Sequence, residues 1–126
     1  AEKKYRQAYD ELLKDDAVTN EEQAEYLGHL AEAVIYGGDV ERAEILFQQA
    51  HELLAKPSDK LRDFHQLIIE SGLLLRESYG LFLNHQTEKA QTVLARIEPL
   101  VIKLKDEHKM DARYRQWIEL KSKVNS

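Results

Sequence analysis

The sequence predicts an all-α chain of about six helices, on three observations. Its 126 residues include only five glycines and two prolines, so little interrupts helical periodicity. No stretch alternates Val, Ile, Thr and aromatics with polar residues, and neither Asn-Gly nor Asp-Gly occurs to turn a β-hairpin. Apolar residues instead recur three and four apart, the spacing that lines one face of a helix.

The first helix is expected over about 2–14, with Tyr5, Ala8, Tyr9, Leu12 and Leu13 on one face. The second opens at Thr19 or Asn20, whose side-chain oxygens suit an N-cap, and places Glu21 and Glu22 where the helix dipole favours anions. Leu27, Leu30, Ala31, Val34 and Ile35 form its apolar face, and Gly37-Gly38 ends it. Asp39 caps the third helix, striped by Ala43, Leu46, Phe47, Ala50, Leu53 and Leu54 and closed by Pro57.

The fourth helix is expected from Ser58 or Asp59 to Leu83. Leu67, Ile68, Ile69, Leu73, Leu74 and Leu75 run nearly all the way round it. A helix apolar on every side is buried on every side, either central in the fold or shared with another chain. Asn84-His85-Gln86-Thr87 makes the next turn, with Thr87 as the expected cap. Helix five carries Ala90, Val93, Leu94, Ile97, Val101 and Leu104, and Pro99 should kink it against the Ala95 carbonyl. Helix six spans about Asp111–Lys123 with Tyr114, Trp117, Ile118 and Leu120.

Composition narrows the function classes. At 14.7 kDa, with 43 % hydrophobic and 33 % charged residues, the chain suits one globular domain. The absence of cysteine removes disulfides, thiol catalysis, cysteine-bound zinc and iron–sulfur clusters, and fits a reducing, cytoplasmic setting. No apolar run is long enough to span a membrane. Ala1-Glu2-Lys3-Lys4 leads into no apolar core of a signal peptide, and the missing initiator methionine is read as trimming or as a fragment. Residues 1–98 hold 11 basic and 19 acidic side chains, whereas 99–126 hold 7 and 4. An acidic body argues against nucleic-acid binding, which needs a basic footprint. The basic end (Lys103, Lys105, Lys109, Arg113, Arg115, Lys121 and Lys123) reads as a solvated face or as a contact for an acidic partner.

No catalytic constellation emerges, and no cofactor or metal site is expected. Glu25 and His29, one helical turn apart, could supply two metal ligands, but no third ligand can be named. Neither Glu-x-x-His nor His-Glu-x-x-His occurs. Gly37-Gly38 leads into Asp39 rather than a phosphate-binding Lys-Ser/Thr. The serines lack a Gly-x-Ser-x-Gly elbow and a strand to carry it. An enzyme is not expected.

Residues Gly38 to Leu53 (GDVERAEILFQQAHEL) closely resemble the second half of a tetratricopeptide (TPR) repeat. The preceding helix falls into register, with Leu27, Leu30, Ala31 and Val34 at the large-large-small-large positions and Gly38 at the turn. Ala43, Phe47 and Ala50 supply the small-large-small series of the second helix. The match covers one 34-residue unit, about 24–57. Leu27 replaces the usual aromatic, Ala31 the usual glycine and Val40 the usual tyrosine. Glu88-Lys89-Ala90 with Val93, Leu94 and Ile97 looks like another second helix. Ala43 to Ala90 is 47 residues, however, 13 beyond the standard period, with the excess assigned to helix four. The chain is therefore read as a single domain of four parts: an N-terminal helix (1–17), a clear TPR (20–57), an elongated degenerate hairpin (58–108) and a C-terminal helix (110–126) that could cap the array.

The resemblance implies a right-handed solenoid of antiparallel helix hairpins that binds a peptide or partner helix in a groove. By register the groove is lined by Glu25, Gly28, His29, Glu32, Ile35 and Tyr36, and by Gly72, Leu75, Arg76, Tyr79, Phe82 and Leu83. Gly28 and Glu32 stand where the carboxylate clamp of chaperone-binding members needs basic or amide residues, which argues against that ligand. A lining acidic at one end and aromatic at the other suits a basic or amphipathic helix. The rival reading is self-association through Ile69, Leu73, Trp117 and Ile118, giving a homodimer. In that case the chain serves as the ligand-sensing or oligomerisation part of a larger, transcriptional regulator, a role in which elongated TPR-like helices also occur.

Overall fold

The computed structural model describes residues 2–15, 17–56 and 63–126. Among them are six helices and no strand: α1 (Glu2–Leu12), α2 (Asn20–Tyr36), α3 (Val40–Leu54), α4 (Asp63–Leu83), α5 (Thr87–His108) and α6 (Ala112–Val124). None is long and apolar enough to cross a membrane. The chain divides into two compact units, Ala1–Leu61 and Arg62–Ser126. The expected closure of helix three at Pro57 and opening of helix four at Ser58 or Asp59 lie outside the described residues.

In the first unit α2 packs on both α1 and α3. The Thr19 hydroxyl accepts from Glu22 N–H at 3.1 Å, and the Asp39 carboxylate accepts from Arg42 N–H at 3.2 Å. Each cap satisfies a backbone donor that has no partner inside its helix. Asn20 Nδ2 donates to the Lys56 carbonyl at 2.7 Å, tying the start of α2 to the end of α3. Ala24, Leu27, Ala31 and Val34 of α2 are buried, as are Ala43, Phe47, Ala50 and Leu54 of α3. Glu21, read from the sequence only as a first-turn acid, is buried as well. No residue of α1 is buried, and Tyr5 and Leu13 from its expected apolar face are exposed.

In the second unit α5 and α6 both pack on α4, and α6 also packs on α5. No residue from Gln66 to Phe82 is exposed, so the all-round apolar stretch sits on a helix covered along most of its length. Pro99 lies inside one continuous helix. Ala95 and Pro99 are both exposed, so the carbonyl that loses its partner can turn to water.

The two hairpins repeat one design at the 47-residue offset. Adding 47 to Ala24, Leu27, Ala31, Val34, Ala43, Phe47, Ala50 and Leu54 gives Ser71, Leu74, Ser78, Leu81, Ala90, Leu94, Ile97 and Val101, and all sixteen are buried. The turns share their main backbone bonds. Asp39 N–H reaches the Val34 carbonyl at 3.3 Å, and Gln86 N–H reaches the Leu81 carbonyl at 2.9 Å. The small residues mark where paired helices approach most closely, and at one of these points Ser78 Oγ donates to the Ala90 carbonyl at 3.1 Å. Of the excess length, α4 carries one turn ahead of the counterpart of α2. The expectation that the rest of the excess belongs to helix four falls on residues 57–62, outside the described residues.

The offset also corrects one cap. Thr87 is the first residue of α5, and Gln86 takes the cap position without a side-chain bond. The chain reverses at the preceding residue, where His85 adopts φ 62°, as Gly38 adopts φ 95° in the first hairpin. Glycine enters this left-handed region without steric cost, whereas a side chain costs about 1–2 kcal/mol there. His85→Gly should therefore stabilise the second hairpin by about 1 kcal/mol, and Gly38→Val should destabilise the first by at least as much. Urea unfolding of both variants measures the two shifts, and equal signs would refute the assignment.

Candidate functional site

The sequence-derived groove residues fall on two helices of two separate units. On α2, Glu25 and Tyr36 are exposed while His29 and Glu32 are half-buried. Tyr36 Oη donates to Glu32 Oε2 at 3.3 Å, so these two form one polar cluster a helical turn apart. The His29 ring stacks on Tyr5 of α1, with centroids 5.9 Å apart and planes 15° apart. α1 thus lies against a position that the register assigned to the groove. Gly28 and Ile35 are buried, so they contribute to the core.

On α4, Arg76, Tyr79 and Phe82 are half-buried and Leu83 is exposed. Gly72, also assigned to the groove, lies under α6. A β-carbon there would sit 3.0 Å from Arg113 Nη2. Arg113 of α6 is half-buried, bonded to Gln116 Oε1 at 3.0 Å and to the Ile68 carbonyl at 3.4 Å. The hydrogen in place of a side chain at Gly72 is what lets this guanidinium lie across α4.

The four self-association candidates separate by burial. Leu73 and Trp117 are buried, Ile69 is half-buried, and Ile118 is 45 % exposed. The Trp117 indole N–H donates to the Leu94 carbonyl at 3.0 Å, which seats α6 on α5. Tyr114 and Trp117 tilt together with centroids 5.8 Å apart.

Every one of the seven basic residues in 99–126 has a partner within the chain. Lys105 lies 4.4 Å from the Tyr114 ring and Lys121 lies 4.9 Å from the Trp117 ring. Lys103 faces Glu107, Arg115 faces Asp111 and Lys123 faces Glu119. Lys109 donates to the Asp106 carbonyl, and Arg113 is held as described. Exposed pairs of this kind contribute little stability, but they intersperse opposite charge and break up the basic surface.

Among the described residues no three His, Asp or Glu side chains gather to hold a metal ion. The sequence places Tyr9 on the apolar face of the first helix and gives it no functional role. Partial burial, with a smaller contribution from neighbouring Asp10, raises its phenol above the usual tyrosine pKa. The signal that could have found it is its place on the α1 apolar face, where its ring is apolar but its hydroxyl needs a polar environment. The chain matches no family model, no curated protein and no solved structure.

Proposed function

We propose that the chain is a TPR-like helical-repeat module of the cytoplasm, without catalytic activity, that holds a peptide or an amphipathic partner helix. The observation that carries this reading is the repeated hairpin. Sixteen buried positions and two turns coincide at one offset, as expected when one supersecondary unit is used twice to build a docking surface. The end helices support it, since α1 packs on a first helix and α6 packs on the last hairpin, as flanking helices of an array do. On α2, Glu25 and Tyr36 are exposed and offer a charge and an aromatic ring, and on α4 the exposed Leu83 offers an aliphatic side chain. The exposed carboxylate of Glu25 on α2 favours a basic or amphipathic segment there.

The test is affinity capture from source lysate with the whole chain as bait, beside a Tyr36→Ser/Leu83→Ser variant. Both positions are exposed, so the variant should melt with the wild type. The expected result is one partner enriched by the wild type and reduced about tenfold or more with the variant. Undiminished capture would overturn the groove assignment. The reading as an oligomerisation part of a larger regulator is favoured by one observation, the exposed Ile118. Light scattering on the wild type and Ile118→Lys decides it, because a dimer through α6 would dissociate in the variant.

A further inference from the structure

Within the first unit, Arg42 Nη2 of α3 donates to Glu2 Oε1 of α1 at 3.0 Å. Further along both helices lies a cleft of about 500 Å³ lined by α1, α2 and α3. The cleft lies open to solvent, with Gln49, Glu52 and Lys56 exposed at its edge. Leu27, 3 % exposed, and half-buried Leu53 give it an aliphatic lining. Tyr9, Gln23 and Gln49 bring three neutral polar groups to the same space, one from each helix. The last two lining residues, Glu52 and Lys56, carry opposite charges.

We propose that this cleft is a binding site for a short extended peptide segment with an aliphatic side chain. Glutamine amides each offer a donor and an acceptor, which is what a peptide unit presents in complementary form. The Tyr9 phenol can donate to a peptide carbonyl. The two leucines take an aliphatic side chain out of water. One carboxylate and one ammonium leave the lining without net charge, so neither an anion nor a cation is selected and a neutral peptide is favoured. The site rests on the reading of the chain as a peptide-binding module. Its lining includes neither Tyr36 nor Leu83, so it gives that module a further contact point with a defined side-chain preference.

The test is an NMR titration of the ¹⁵N-labelled full chain with the capped tripeptide acetyl-Gly-Leu-Gly-amide, using acetyl-Gly-Gly-Gly-amide as the comparison. The expected result is saturable shifts of the Gln23 and Gln49 side-chain amides and of the Tyr9 backbone amide. The leucine peptide should bind at least about fivefold more tightly than the glycine peptide. Gln23→Leu and Gln49→Leu should each weaken binding by about fivefold while melting as the wild type does. The Tyr36→Ser/Leu83→Ser variant should bind the tripeptide unchanged, so loss of lysate capture and loss of tripeptide binding report on different sites. Shifts that fail to saturate in the millimolar range, equal affinity for the two peptides, or binding insensitive to both glutamine changes would each overturn the proposal.

Discussion

Truncating Phe47 to alanine removes about 3–5 kcal/mol from the first helical hairpin, the usual cost of emptying a fully buried aromatic site. Phe47 is entirely buried, and its ring fills space beside Ala43 and Ala50, which supply no side-chain bulk of their own. A stretch the length of the first unit is held by only about 3–9 kcal/mol in total, so the variant lies near its unfolding midpoint at room temperature. Urea titration followed by far-UV ellipticity reads the loss. Phe47→Leu keeps most of the volume and should lose less than half as much. A loss below about 1 kcal/mol in the alanine variant would show that the site collapses around the deletion and that Phe47 does not organise the hairpin.

Trp117→Ala is expected to cost a similar amount, about 3–5 kcal/mol, but from a different place. Only Trp117, Leu120 and Val124 of α6 are buried, so the indole is the largest single side chain that docks the helix. The change also removes the indole donor to Leu94 and the ring beneath Lys121. Amide exchange separates this from a global effect: α6 amides should exchange freely while those in the middle of α5 keep their protection. Trp117→Phe retains the ring face and loses the hydrogen bond, for about 1 kcal/mol. If α6 amides stay protected in the alanine variant, the Arg113 contact across Gly72 rather than Trp117 anchors the helix.

The helices themselves were legible because their cause is local. Apolar spacing placed the six elements, and side-chain oxygens at Thr19 and Asp39 marked the two side-chain caps that form among the described residues. Thr87 failed as a cap for an equally local reason. His85 takes the left-handed turn that Gly38 takes in the first hairpin, which puts Gln86 where Asp39 stands. The distance from Ala43 to Ala90 already held that answer, since the same offset pairs Gly38 with His85. The candidate site was less legible because it depends on where the end helices lie. The register alone assigned His29 and Gly72 to an open groove, yet Tyr5 stacks on one and Arg113 lies over the other. Nothing in the spacing of α1 or α6 announces those contacts, nor the cleft that Tyr9 shares with Gln23 and Gln49. They arise from packing between residues distant in sequence, which periodicity does not encode.

The turns at 37–39 and 84–86 bear on how quickly the chain finds its structure. Each joins two long helices through three residues, so the partners of α2 and α4 are the next segments to leave the ribosome. Closing so short a connection loses little chain entropy, and a topology dominated by such neighbouring contacts belongs to the microsecond-to-millisecond class of folders. Each hairpin can therefore assemble during synthesis, before the chain beyond it exists. Little time is left for the apolar stretch of α4 to lie exposed to other chains.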